Sequence, residues 1–185
     1  MTPEIRLDQF NNQWYHPGAG VVKRTIWYFI NILFFKNGWI PFSGIRIRIL
    51  KLFGAKVGKG VILKPCINIK YPWHLKIGNH CWIGENVWID NLVTVEISDH
   101  VCLSQGAFLL TGNHNYKDSS FGLMTGEIFL ESGSWIGAKC TVCPGVRVGA
   151  GAVLTAGSIA TKNLSPWHIY QGNPAQAIKE RIIQK

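Results

Sequence analysis

Aliphatic residues return every six positions along most of this chain of 185 residues. The series runs from residue 57 to residue 109, stops, and resumes at residue 130. A period of six fits neither an α-helix, which repeats about every 3.6 residues, nor a half-buried strand, which alternates about every two. It is typical of a β-solenoid whose coils have three short flat sides, each beginning with an inward aliphatic side chain. These first positions are Val57, Leu63, Ile69, Ile77, Ile83, Ile89, Ile97, Leu103, Leu109, Leu130, Ile136, Val142, Val148 and Leu154.

The spacing between coils is not uniform. Val57, Ile77 and Ile97 are 20 residues apart, whereas three hexapeptides span 18, so each of the first coils has two extra residues at one corner. Residues 20 apart should therefore stack, with about 4.8 Å between neighbouring coils. The second position of a hexapeptide is often glycine, which suits unusual backbone angles or close approach. Two of the predicted columns are Lys70, Asp90 and Leu110, and His80 and His100.

The repeat is interrupted by the segment LLTGNHNYKDSSFG, residues 109–122. The sequence predicts an inserted loop at about 112–128, and long loops in compact domains usually carry function. His114 stands where the regular coil gives way to this loop. By itself it can be a loop histidine hydrogen-bonded to its surroundings or a general base.

The chain divides into three segments. Residues 1–50 lack the repeat, and we expect one or two helices that cap the first coil, because solenoid ends need covering. Residues 51–162 form the solenoid, and residues 163–185 form a loop and a short helix opened by Pro174. The cap is basic and aromatic, so a second interpretation is that it also rests on the inner membrane surface.

Composition limits the compartment and the partners. The net charge of +9 favours an anionic partner, which can be cofactor phosphates, nucleic acid or a membrane surface, but no nucleic-acid motif is visible. The start MTPEIRLDQF lacks the pattern of a signal peptide. The most apolar segment, TIWYFINILFF, has 11 residues, whereas a membrane span needs about 20. The five cysteines suggest no disulfide framework. We therefore expect a cytoplasmic protein.

A metal site is not expected. His80 and His100 stack at a turn position, but no third ligand is evident. In the segment CTVC, Cys140 points inward and Cys143 sits at a corner, which does not suit a zinc or redox site. A zinc-binding or non-catalytic β-helix nevertheless remains an alternative on the repeat alone.

Three further segments accompany the repeat: TGNHN with its insertion, SWIGAKCTVCPGVRVGAGAVLTAGSIATK, and GNPAQAIK. Together they resemble the left-handed β-helix acyltransferases, which include the maltose, galactoside and serine acetyltransferases. The resemblance is greatest to the acetyltransferase type of colanic acid and related exopolysaccharide biosynthesis, and covers roughly residues 45–181. It implies an all-β fold, a left-handed parallel β-helix with an N-terminal helical cap and a short C-terminal helix. It also implies transfer of an acetyl group from acetyl-CoA to a hydroxyl, without a metal.

The resemblance assigns candidate site residues. His114 matches the family's catalytic histidine, which takes the proton of the attacking hydroxyl. Asp90 is the candidate that holds the histidine tautomer, and its other interpretation is a corner aspartate in place of glycine. Asn91 and Asn113 are weaker candidates for acceptor contacts. Candidates for coenzyme A binding are Ala138, Ala156, Thr161, Lys162, Lys179 and Arg181.

The family is trimeric, with each active site between two subunits, so a homotrimer is implied here. The expected acceptor is a sugar hydroxyl of an exopolysaccharide or surface glycan. Acetylation of an amino sugar or of a xenobiotic is the alternative among enzymes.

Overall fold

The computed structural model describes residues 4–184. Its N-terminal part contains a short 3-10 turn at Leu7–Gln9, helix α1 at Val21–Ile30, a π-helical turn at Asn31–Phe35, and helix α2 at Ser43–Leu52. A further 3-10 turn occupies Pro72–His74. The alternating segment IRIRI, residues 45–49, lies within α2, so it continues a helix toward the first coil.

The rest of the described chain consists of short strands joined by turns. The strands are β1 (Lys56–Val57), β2 (Ile62–Leu63), β3 (Asn68–Ile69), β4 (Leu75–Ile77), β5 (Trp82–Ile83), β6 (Trp88–Asp90), β7 (Val95–Ile97), β8 (Cys102–Leu103), β9 (Phe108–Leu110), β10 (Gly112–His114), β11 (Leu123–Thr125), β12 (Ile128–Leu130), β13 (Trp135–Ile136), β14 (Thr141–Val142), β15 (Arg147–Val148), β16 (Val153–Leu154), β17 (Ile159–Ala160), β18 (His168–Gly172) and β19 (Ala175–Glu180).

These strands build the three flat sides that the period of six predicts. Face A consists of β1, β4, β7, β12 and β15; face B of β2, β5, β8, β13, β16, β18 and β19; and face C of β3, β6, β9, β14 and β17. Successive coils pair in parallel, as in Val57 with Ile77, and Ile77 with Ile97. The predicted parallel β-helix is thus confirmed.

The first position of every hexapeptide points inward and is buried, as predicted. Stacking of identical positions gives one continuous aliphatic column for each face, from which water is excluded. Removing such a side chain from water stabilises the fold by roughly 1.5–3 kcal/mol. Cys81 and Cys140 are fully buried in the same core, and burial raises the pKa of both thiols. They act there as small apolar residues.

Close approach between coils and positive φ angles constrain different turn positions, whereas the sequence suggested that second-position glycines serve both. Second-position glycines are needed for close approach between coils: a Cβ on Gly78 would lie 2.3 Å from Asp99 Oδ1. Positive φ angles occur instead at the fourth position, as at His80 (55°) and His100 (59°). The two imidazoles stack with their ring centroids 5.3 Å apart, which confirms the predicted column.

The N-terminal helices are attached to the solenoid by large buried side chains. Trp27 of α1 donates a hydrogen bond from Nε1 to the carbonyl of Ile69 at 3.0 Å. Its ring lies 5.2 Å from the rings of both Phe35 and Phe53, centroid to centroid. Ser43, the first residue of α2, accepts a hydrogen bond from the backbone N–H of Leu63. Within residues 4–184 no helix combines the length and the apolar character that crossing a membrane requires.

The prediction of a short C-terminal helix is wrong. Residues 168–180 instead form an antiparallel hairpin, β18–β19, whose first strand pairs with β16 at the end of face B. Pro174 lies in the connection between the two strands, two residues after Gly172, whose φ is 102°. Proline followed by a polar segment predicts a helix start, but it is equally a turn signal. The hairpin supplies hydrogen-bond partners for the open edge of β16, which a short helix would leave unpaired.

Candidate active site

Three consecutive coils widen at the same corner, between face C and face A. The extra residues occupy positions 70–74, 91–94 and 111–127, and we call these three segments the wide corner. In the next coil the same corner is the regular turn 143–146. The strands on both sides of the longest segment keep their pairing, since β9 pairs with β14, and β12 with β15.

The inserted segment is an ordered hairpin, where the sequence predicted a loop. Strands β10 and β11 pair antiparallel, with Asn113 opposite Met124 and His114 opposite Leu123. The tip is tightened by Asp118, which accepts hydrogen bonds from the backbone N–H and the hydroxyl of Ser120. A hairpin restricts the backbone at His114 more than a free loop would.

The imidazole of His114 is held on one side only. Nδ1 lies 2.8 Å from the carbonyl oxygen of Phe121. Because a carbonyl only accepts, Nδ1 carries the proton and the neutral ring presents Nε2 as an acceptor. The ring also stacks on Phe121 with a centroid separation of 4.5 Å, and the ring centroid of Phe10 lies 5.7 Å away. These contacts fix the tautomer and the plane of the ring.

His114 faces a cavity of about 750 Å³ at the wide corner. This volume lies within the range of small-molecule sites. The structure therefore brings together His114, Asp90 and Asn113, three of the predicted site residues. The lining residues are Phe10, Asn12, Gln13, Tyr15, Pro17, Arg24, Lys70, Tyr71, Asp90, Leu92, Leu110, Gly112, Asn113, His114 and Leu123.

Residues 4–20, which we call the strap, close one side of this cavity. The strap is fastened at three points: Arg6 N–H donates to the carbonyl of Ser119, Tyr15 Oη donates to that of Leu92, and Trp73 Nε1 donates to that of Pro17. From the sequence, this segment is predicted only to be part of the N-terminal cap. Its polar and aromatic residues follow no period, so no pattern indicated where they pack.

Asp90 does not hold the tautomer of His114, which corrects our expectation. Its Oδ1 lies 3.0 Å from Nζ of Lys70 on the preceding coil, as the predicted column of residues 20 apart requires. The carbonyl of Phe121 makes the orienting contact with His114 instead. A backbone carbonyl could not be identified from residue types, because every residue has one.

Asn91 is also not available for an acceptor contact. It is fully buried, and its amide bonds both backbone groups of Tyr71, accepting from N–H at 3.0 Å and donating to the carbonyl at 2.6 Å. The buried Thr111 has a comparable role on the next coil, donating its hydroxyl to the carbonyl of Asp90. Both side chains satisfy backbone groups that the widened corner leaves without strand partners.

None of the six residues predicted to bind coenzyme A lines this cavity. Ala138 and Ala156 stack on successive coils at the corner between faces B and C, where Gly157 N–H donates to the carbonyl of Ala138. Lys179 lies on β19. The half-buried Arg181 donates from Nη1 to the carbonyls of Gly133 and Gly151, both at 2.9 Å, so it fastens two turns together. The remaining positions are Thr161 and Lys162, both exposed after β17.

Burial changes the acid–base behaviour of one cavity residue. The phenol of Tyr15 is half-buried, and burial raises its pKa above the ordinary value, with smaller contributions from Tyr71 and Asp90. The hydroxyl therefore stays protonated and keeps donating to the carbonyl of Leu92 at 2.8 Å. Among residues 4–184 no cluster of His, Cys, Asp and Glu side chains is arranged to hold a metal ion.

Known proteins with similar sequences are acetyltransferases. The chain is 34% identical over 167 residues to WcaF of Escherichia coli (strain K12), named as a colanic acid biosynthesis acetyltransferase, which covers 89% of this chain and 91% of WcaF. It is 29% identical over 138 residues to the galactoside O-acetyltransferase of the same strain, covering 73% of this chain and 68% of that enzyme. Comparison with protein-family models gives no match.

Solved structures agree with the sequence comparison. Galactoside acetyltransferase in complex with coenzyme A superposes with a TM-score of 0.76 at 27% identity, covering 86% of this chain and 80% of that one. The hexapeptide-repeat acetyltransferase VCA0836 from Vibrio cholerae, complexed with acetyl coenzyme A, has a TM-score of 0.79 over 90% of this chain and 92% of that one. At 20% identity this second likeness shows the fold alone. With WcaF matched over nearly its whole length, the chain belongs to the hexapeptide-repeat acetyltransferases.

Proposed function

We propose that this chain transfers an acetyl group from acetyl-CoA to a hydroxyl of a sugar, in the synthesis of an exopolysaccharide or surface glycan. The observation that carries the proposal is the state of His114. Its Nδ1 is bonded to the carbonyl of Phe121, and its Nε2 is left as the basic atom beside a cavity of about 750 Å³. Its relative WcaF is named for colanic acid biosynthesis, which supports a glycan acceptor.

The proposed chemistry uses acetyl-CoA as a substrate that is consumed in each turnover. Nε2 of His114 accepts the proton of the sugar hydroxyl while the oxygen attacks the thioester carbonyl. The carbon–sulfur bond then breaks, and the imidazolium returns the proton to the departing sulfur. The products are an acetyl ester and the free thiol of coenzyme A. Phe121 keeps the same nitrogen protonated before and after the cycle.

Acceptor binding falls to the polar lining of the cavity. Asn113 is exposed at its mouth, and the ion pair of Lys70 with Asp90 presents one charge of each sign. Carboxylates and amides are suitable partners for the several hydroxyls of a sugar ring. We assign Asp90 to acceptor positioning, since the tautomer of His114 is already fixed by a carbonyl.

A homotrimer with sites between subunits is part of the proposal. The predicted coenzyme A residues do not line the cavity of their own chain, so a neighbouring subunit would have to bring such residues to His114. Lys162 and Lys179 are exposed and suit the nucleotide phosphates. Exposed tryptophans lie on two faces, Trp82 and Trp135 on face B and Trp88 on face C, and suit subunit contacts.

Attachment to the cytoplasmic membrane surface is also proposed for the cap. Residues 9–50 contain five Lys and Arg residues, of which Arg46 is buried, and no Asp or Glu residue. Large apolar side chains are exposed among these cations, including Val22 (74%), Phe29 (58%), Trp39 (77%) and Phe42 (69%). A basic surface with exposed aromatic residues fits an anionic lipid surface.

Two experiments test the transferase proposal. In vitro, release of the coenzyme A thiol from acetyl-CoA should exceed the rate of hydrolysis when sugars of a panel are added. In the host, mass spectrometry of the surface polysaccharide with and without the gene should show the loss of an acetyl group. An unchanged polysaccharide, together with no acetylated member of the panel, would refute the proposal.

Membrane attachment is tested by co-sedimentation with vesicles. The full chain should bind vesicles containing anionic lipid, bind neutral vesicles less, and lose binding in high salt. Trp39→Ser should weaken binding, whereas Tyr116→Ser should not, since Tyr116 is equally exposed but lies in the inserted hairpin. Equal binding to both vesicle types would refute the proposal, and a change in the mass of the assembly with Trp39→Ser would point to a second copy as the occupant.

A further inference from the structure

The cavity at His114 adjoins a second one. This smaller cavity, of about 320 Å³, lies between α1 and face C. The two cavities have four lining residues in common: Arg24, Lys70, Tyr71 and Asp90. They therefore form two compartments of one groove, and these four side chains stand where the compartments meet.

The charges at this junction do not cancel. Lys70 is paired with Asp90, and Asp90 is the only carboxylate that lines either compartment within the described part of the chain. Arg24 makes no ion pair and no side-chain hydrogen bond with any residue between 4 and 184. The groove consequently carries one uncompensated guanidinium, joined in the second compartment by Lys36.

Arg24 is positioned for binding and not merely left in solvent. It lies in the first turn of α1 and is half-buried, and its Nε is buried without a hydrogen-bond partner. Leaving a buried N–H unpaired costs free energy, and an incoming oxygen would recover it. The guanidinium has a planar fork of donors that matches the two oxygens of a carboxylate or phosphate.

We infer that Arg24 forms an anion subsite next to His114, so that the preferred acceptor carries a carboxylate or phosphate near the hydroxyl that is acetylated. This inference rests on the proposed function and makes it more specific. A uronosyl unit of the glycan and a phosphate at the reducing end of a precursor are the two sources of such a group. Both would place one anionic group at the junction and the sugar ring in the larger compartment.

Matched pairs of acceptors test the inference. Methyl glucoside is compared with methyl glucuronide, methyl galactoside with methyl galacturonide, and each neutral glycoside with the corresponding sugar 1-phosphate. The anionic member should have kcat/KM about tenfold higher, the expected effect of one charge-assisted hydrogen-bonded contact. Whether uronides or phosphates gain more distinguishes the two sources.

Variants assign the preference to Arg24. Arg24→Gln should reduce kcat/KM about tenfold more for anionic acceptors than for neutral ones, and Arg24→Lys should restore part of the loss. Arg48→Gln is the matched control, because Arg48 is exposed on α2 and lines neither compartment. A uniform loss with both acceptor types would indicate a structural role for Arg24 and would overturn the inference.

A binding measurement separates this inference from the proposed function. Calorimetric titration of the same pairs does not depend on turnover. If no sugar is acetylated, the proposed function fails for this panel, while tighter binding of anionic members that Arg24→Gln abolishes would still support the subsite. Anionic members that bind wild-type protein no better than their neutral partners would overturn it.

Discussion

The three faces of the solenoid and its wide corner follow different rules. Along the faces each coil repeats the one before it, and every first position holds a buried aliphatic residue. At the wide corner no coil repeats its neighbour: one coil has a 3-10 turn at Pro72–His74, the next a buried Asn91, and the third an entire hairpin. Repetition provides stability here, and departure from repetition provides the cavity and its histidine.

Among substitutions at the wide corner, replacing His114 should have the largest effect on turnover. His114→Ala removes the proposed base, so turnover should fall by at least about two orders of magnitude, within the usual range for general-base catalysis. Thermal unfolding and binding of coenzyme A should change little. His100→Asn is a suitable control, because it alters an exposed corner histidine whose positive φ asparagine tolerates. Turnover by His114→Ala within tenfold of wild type would exclude His114 as the base.

A core substitution should lower stability and leave the kinetics of the folded enzyme unchanged. Leu103→Ala removes a fully buried side chain of face B and should lower the free energy of unfolding by about 2–5 kcal/mol. At a temperature where the variant remains folded, its KM for acetyl-CoA should match that of wild type. Chemical denaturation measures the first quantity and steady-state kinetics the second. A selective rise of KM in a fully folded variant would show that faces and corner are not separable.

The ion pair beside His114 is the next test. Asp90→Asn leaves Lys70 without its carboxylate and removes an acceptor from the cavity wall. We expect KM for the sugar to rise about tenfold, equivalent to about 1.4 kcal/mol, with a smaller change in kcat. Were kcat to fall a hundredfold at unchanged KM, Asp90 would have a role in proton transfer instead.

The smallest effect is expected at the strap. Because burial raises the pKa of Tyr15, the folded protein retains a proton that the unfolded chain releases above its ordinary phenol pKa of about 10. Stability from this group is therefore complete below that pH and declines as the pH rises further, by at most about 1.4 kcal/mol per unit. Tyr15→Phe should lose roughly 0.5–1.5 kcal/mol at neutral pH with the bond to Leu92.

Denaturation curves at several pH values check this prediction. The difference in stability between wild type and Tyr15→Phe should shrink above about pH 10, because only wild type loses the contribution of this phenol. A difference that stays constant up to pH 12 would mean that Tyr15 does not titrate in this range in either state.

The sequence predicted the periodic part of the molecule and failed where period was absent. Buried first positions, the stacked histidines and the placement of Lys70 and Asp90 in one column all follow from counting residues. The contact between His114 and the carbonyl of Phe121 does not, since backbone groups leave no mark on composition. The position of the strap and the strand structure of the terminal hairpin also do not follow from the sequence, because contacts with distant parts of the chain decide both.

The preserved register on either side of the inserted hairpin has a consequence for how such proteins diversify. Since β9 and β12 pair with the neighbouring coils in the ordinary way, the strand pairing of the faces does not depend on the length of the inserted hairpin. The hairpin can therefore vary in length while the strand pairing of the coils around it stays the same. Acceptor preference can therefore be altered by exchanging hairpin residues beyond His114, provided that the bond of Thr111 to Asp90, the contact of His114 with Phe121 and the bond of Arg6 to Ser119 are kept.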